Sequence, residues 1–86
     1  MEKVFISNHV KFEILKACGL PVTRSYDLPG QTKLAALKDD NDESLCRSVE
    51  EKLQEIAYYY NTGKHIMKGD ITKNSSVKYC IQLVMA

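Results

Sequence analysis

Apolar and polar residues alternate along this chain in two different rhythms. From Leu45 onward the apolar positions Val49, Leu53, Ile56 and Tyr60 recur at intervals of three or four, flanked by Cys46 and Ala57. At 3.6 residues per turn such positions share one face, so the stripe predicts an amphipathic helix. Asp40, Asn41 and Asp42 are competent caps for its start, and Asp40 has capping-box spacing to Glu43. Asn61-Thr62-Gly63 supplies the stop.

Beyond Gly63 the rhythm shortens. Val77, Tyr79, Ile81, Leu83 and Met85 alternate with Lys78, Cys80, Gln82 and Val84, a period of two that predicts a strand with one apolar face, on which Tyr79 would be core. Residues 64–72, with Ile66, Met67 and Ile71, form a weaker strand candidate, and Lys73-Asn74-Ser75-Ser76 would turn one strand into the next as a hairpin.

At the other end, Val4-Phe5-Ile6 is a short apolar run bounded by Ser7 and Asn8, which predicts a strand handing over to a helix at residues 9–18. Val10, Ile14, Ala17 and Cys18 would form the inner face of that helix. Gly19 stands where a left-handed C-terminal cap is wanted, and Leu20 and Pro21 follow. Residues 21–33 read as a loop around the Asp27-Leu28-Pro29-Gly30 turn, with a short extended piece near residues 22–26 and a single helical turn near 33–38.

The predicted order is strand, helix, loop, helix, strand, strand. An α+β domain with a small three-stranded, mostly antiparallel sheet and two helices on one face buries every stripe in that order. Residues 1–86 form one domain, because a chain of 86 residues supports a single modest core.

Composition adds a class. With 44% hydrophobic and 27% charged residues the chain is globular in character. It has no apolar run near the roughly eighteen residues of a membrane span and nothing resembling a signal peptide at Met1-Glu2-Lys3-Val4, so a cytoplasmic protein that does not enter the membrane is expected. In the absence of a secretion signal, Asn74-Ser75-Ser76 is turn chemistry rather than a glycosylation acceptor. Cys18, Cys46 and Cys80 are widely separated, with no CxxC, and read as reduced thiols without a metal or disulfide role.

The net charge of +1 conceals a division: residues 1–38 carry +3, residues 39–62 carry −5 and residues 63–86 carry +3. The acidic middle fits a solvated helix with carboxylates toward its N-terminal end.

Motifs for chemistry are missing. The four glycines are scattered, with no phosphate-cradling loop, and there is no nucleophile elbow. His9 and His65 read as polar residues at element ends, and Asp39, Asp40, Asp42 and Glu43 lack EF-hand spacing. The expectation is therefore a protein that is not an enzyme and takes no cofactor.

Two surfaces stand out for binding. On the long helix, a 100° step per residue puts Tyr58 opposite the apolar stripe with Arg47, Glu51 and Gln54, and Tyr59 at the margin by Lys52, giving Tyr58, Tyr59, Arg47 and Glu51 as candidate protein contacts. The second is the basic hairpin with Lys64, Lys68, Lys73 and Lys78, suited to a phosphate backbone. The first expectation is a module that occupies another protein, as an inhibitor, immunity or accessory protein does. In size and composition the chain resembles the small accessory proteins of bacteriophages. The alternative is a nucleic-acid-binding regulator using the hairpin. A homodimer paired through the apolar C-terminal strand is also expected, since that strand is too apolar to lie bare at a sheet edge.

Overall fold

The stripe that begins at Leu45 folds as its spacing predicts. In the computed structural model, which describes residues 2–38 and 43–85, it forms helix α3 (Glu43–Tyr59), with Leu45, Cys46, Val49, Leu53, Ile56 and Ala57 all buried. The helix ends on Asn61, whose φ of 55° is left-handed. There the Thr62 amide donates to the Ala57 carbonyl at 3.0 Å and the Asn61 amide to Tyr58 at 3.1 Å, which satisfies two carbonyls the last turn leaves open. The predicted caps Asp40, Asn41 and Asp42, with Asp39, lie outside the described residues.

Among the described residues there are three further α-helices, α1 (Glu2–Ala17), α2 (Leu34–Leu37) and α4 (Val77–Val84), with a 3-10 turn at Ser25–Asp27. No strand occurs among the described residues, so the expected α+β sheet is replaced by a mostly helical domain. Each strand misreading has its own physical cause.

Val4-Phe5-Ile6 belongs to α1 and is not a strand. Ile6, Val10 and Ile14 stand four residues apart and are all buried, so the inner face of the helix begins at Ile6 while Val4 and Phe5 point to solvent. The end of α1 is as predicted: Gly19 takes φ 73°, the Leu20 amide donates to the Leu15 carbonyl at 2.9 Å and the Gly19 amide to Lys16 at 3.1 Å.

At the C-terminus, residues 77–84 satisfy two periods at once, and the helical one wins. Val77, Cys80, Ile81 and Val84 recur at i, i+3, i+4 and i+7 and are all buried, whereas Tyr79, expected in the core, is 41% exposed. Ser76 starts the helix by accepting the Tyr79 amide on its hydroxyl at 3.0 Å. Without a C-terminal strand there is no apolar edge for a homodimer to pair through. The other strand candidate, 64–72, is an irregular loop, and the expected extended piece near 22–26 runs into the 3-10 turn that starts at Ser25.

α1 packs against α3, against α4 and against the 3-10 turn, and α4 closes on α3. The core is one cluster, to which Leu28, Leu34 and Ile71 are contributed by the loops and by α2. α2 and α4 begin side by side. The first N–H groups of a helix have no partner within it, and here each helix finds them in the segment leading to the other. Leu34 donates to the Ser75 carbonyl at 3.0 Å and Val77 to Thr32 at 2.8 Å, while Ala35 donates to Lys73 at 3.0 Å and Lys78 to Gly30 at 2.8 Å. The antiparallel bridge between Lys33 and Ser76 lies at the centre of this exchange.

Candidate functional site

Two flanks of α3 do different work. On one, Arg47, Glu50 and Gln54 hold the 63–76 loop. Glu50 Oε2 accepts the amides of Gly69 at 2.9 Å and Ile71 at 3.0 Å, together with Arg47 Nη2 at 2.8 Å. Arg47 Nε lies 2.8 Å from Glu50 Oε1 as an ion pair rather than an aligned hydrogen bond, and Arg47 Nη2 also donates to the Ile71 carbonyl at 3.0 Å. Gln54 repeats the device one turn on: its Oε1 accepts the Ile66 amide at 2.8 Å and its Nε2 donates to the Lys64 carbonyl at 3.1 Å. A buried carboxylate demands such partners, and this one has them.

Of the four residues proposed as one contact surface, Arg47 is thus occupied within the fold. Glu51 is exposed beside it, on the rim of a hollow shared with Ile66 and Lys68. Tyr58 and Tyr59 are 71% and 75% exposed at the C-terminal end of α3.

The tyrosines do not stand alone. α1 packs against α3, and His9 of α1 lies beside the end of α3. His9 Nδ1 is 3.2 Å from the Tyr60 hydroxyl, within hydrogen-bond distance. The rings of Tyr59 and Tyr60 meet edge to face, with centroids 4.9 Å apart at 85°, and His9 meets Tyr60 at 5.7 Å and 79° and Tyr59 at 6.0 Å and 78°. Perpendicular pairs at these distances are the favoured arrangement of aromatic quadrupoles and contribute roughly 0.5–1.5 kcal/mol each beyond area burial. Tyr59 is held by its neighbours while most of its surface faces solvent.

The lysines are placed differently from the expected hairpin. Lys64, half-buried, Lys68 and Lys73 lie on the irregular 63–76 loop, and Lys78 follows in the first turn of α4. The exchange between α2 and α4 pairs exposed Lys33 with Ser76, which lies between Lys73 and Lys78 in sequence. Among the described residues none of Lys33, Lys73 and Lys78 is in an ion pair.

The thiols and histidines are dispersed. Cys46 and Cys80 are in the core and Cys18 is half-buried at the end of α1. Burial pushes the Cys80 thiol up to about 12; its backbone hydrogen bond acts the other way, and Cys46 adds to the rise. Burial also raises Cys18, partly offset by Lys38. His65 is exposed, and no three of the described His, Cys, Asp and Glu residues come together as a metal would need. No helix among the described residues is long and apolar enough to cross a membrane.

No family model, curated protein or solved structure matches the chain.

Glu50, Gln54, His9 and Lys33 are the residues that spacing analysis passed over for this geometry. For Glu50 a signal existed. Cys46, Glu50, Leu53 and Ala57 follow one another at four, three and four residues, so the carboxylate lies inside the apolar stripe, where only a partnered charge is tolerated.

Proposed function

We propose that this protein is a non-enzymatic binding module that acts by occupying another protein, with Tyr58 and Tyr59 at the centre of the contact. The observation that carries the reading is the exposure of these two adjacent aromatic side chains, at 71% and 75%, on a helix whose inner face is fully used by the core. Tyrosine is enriched among residues that dominate interface energetics, because it gives large contact area and a hydroxyl for few rotatable bonds. The edge-to-face contacts of Tyr59 with His9 and Tyr60 fix its ring before any partner arrives, which lowers the ordering cost of association. Exposed Glu51 lies two turns back along α3 as a rim residue, and Arg47 contributes by holding the adjacent loop.

Comparative affinity purification tests this reading. The wild-type chain should retain a protein in stoichiometric amount, and the double variant Tyr58→Ala/Tyr59→Ala should lose it while remaining cooperatively folded, its melting temperature lowered only by the loss of the Tyr59 ring contacts. Equal recovery by both forms would contradict the reading.

A second reading, a nucleic-acid-binding regulator, is favoured by one observation: the backbone exchange between α2 and α4 pairs exposed Lys33 with Ser76, which has exposed Lys73 and Lys78 three residues before it and two after it. It ranks lower because the chain as a whole carries only +1, far from the basicity usual for phosphate-backbone binding. Retention on heparin that falls steeply with salt, and that is lost when the three lysines are replaced by glutamine, would reverse the ranking.

A further inference from the structure

Beside the tyrosines, α1 and α3 enclose an open groove of about 280 Å³. Its lining changes character along each helix. His9 and Tyr59 meet across it with ring centroids 6.0 Å apart; from there Glu13 and then Lys16 follow along α1, and Glu55 and then Lys52 precede along α3. The rings of His9 and Tyr59 stand at 78° to one another and form a corner. Glu55 is 3.8 Å from Lys52, whereas Glu13 and Lys16 form no ion pair among the described residues.

An aromatic corner next to an uncommitted carboxylate is an arrangement that attracts a cation, through the ring quadrupole and through charge-assisted hydrogen bonds. Lys16 and Lys52, beyond the carboxylates along each helix, repel a cation, so the position beside the rings is favoured. The volume falls just under the roughly 300–1,000 Å³ typical of small-molecule sites and suits one long side chain reaching in from a partner.

We infer that the groove receives an arginine side chain of the protein partner, its guanidinium against Tyr59 and His9 and its N–H fork on Glu13. Arginine fits better than lysine because the planar guanidinium stacks on a ring and offers two parallel donors to one carboxylate, while an ammonium does neither. The inference rests on the reading of Tyr58 and Tyr59 as a protein-contact surface, and it adds the chemistry of that partner.

The test is an NMR titration of the full chain with the peptide acetyl-Gly-Arg-Gly-amide and with its citrulline counterpart, which keeps the shape and lacks the charge. Titration to about 20 mM covers the roughly millimolar affinity a single side chain reaches. Saturable shifts at the amides of His9, Glu13 and Tyr59 are expected with the arginine peptide, with at least about fivefold weaker binding of citrulline. Glu13→Gln should weaken the arginine peptide about five- to tenfold with the rest of the spectrum unchanged, and Tyr59→Leu, which removes the ring the guanidinium stacks on, should weaken it similarly and serves as a second variant if the first does not fold. No saturable response, or equal affinity for the two peptides, would overturn the inference. A silent titration together with loss of partner capture in the double tyrosine variant would remove the arginine site and leave the protein-binding reading intact. A saturable arginine response with capture untouched by that variant would uphold the groove and remove the tyrosine reading.

Discussion

Glu50→Ala removes the carboxylate that fastens the 63–76 loop to α3. The side chain is 7% exposed and accepts the amides of Gly69 and Ile71 as well as Arg47 Nη2. Its loss leaves two loop N–H groups without partners and takes from Arg47 its buried counter-ion, leaving the guanidinium the Ile71 carbonyl and the exposed Glu43 carboxylate. Hydrogen bonds to a charged group contribute about 1.5–3 kcal/mol each, and breaking a buried pair from one side costs about 3–5 kcal/mol. Arg47 retains 27% side-chain exposure and rehydrates in part, which places the expected loss near 3 kcal/mol, at the lower end of that range. Against a total stability on the order of 4–13 kcal/mol for a chain of this length, that is a quarter or more. Glu50→Gln keeps an acceptor for the two amides and loses the ionic attraction, so its cost should be about 1–2 kcal/mol. Urea unfolding with linear extrapolation measures both, and hydrogen exchange at Gly69 and Ile71 reports the loop directly. Exchange at these amides should accelerate in Glu50→Ala. A loss under about 1 kcal/mol with unchanged exchange would show that the loop is held by something other than Glu50.

Leu53, 1% exposed on the inner face of α3, should cost about 2–5 kcal/mol as Leu53→Ala, while Tyr58→Ala, at 71% exposure, should cost under about 1; equal losses in urea unfolding would mean the helix is rotated from its placement here. Cys80 links stability to alkaline pH. The unfolded thiol ionises near the ordinary 9.0 and the folded one at about 12, so the folded state holds its proton longer and stability falls as pH rises between those values. The slope from this one group is about 1.4 kcal/mol per pH unit. Cys80→Ala should remove that contribution from the pH dependence above 9, and identical slopes in the two proteins would contradict it.

Local signals were legible where the structure is decided locally. Gly19 and Asn61 end their helices as their positions imply, since a left-handed residue after an apolar stripe satisfies open carbonyls within a few residues. The outward placement of Tyr58 follows from helical spacing alone. Misreadings arose where two periods coincide. Residues 77–85 alternate like a strand, yet the packing of Cys80 and Val84, both fully buried, decides for a helix, and Ser76 was the local hint. Ile6 similarly fits both a short strand and the face continued by Val10 and Ile14. Tertiary partners were beyond reach: Arg47 meets the Ile71 carbonyl 24 residues away, and Lys33 is set beside Ser76 by backbone pairing that no side-chain pattern encodes. The candidate site was therefore legible as two exposed tyrosines and illegible as a cluster, because His9 joins it from α1.

Site-specific photocrosslinking separates the two surfaces most directly. A photoreactive phenylalanine analogue is placed at position 59 in one form of the full chain and at position 78 in another. The account predicts a single protein adduct from position 59, lost on prior addition of excess unlabelled wild-type chain, and none from position 78. A nucleic-acid adduct from position 78 with no adduct from position 59 would contradict it.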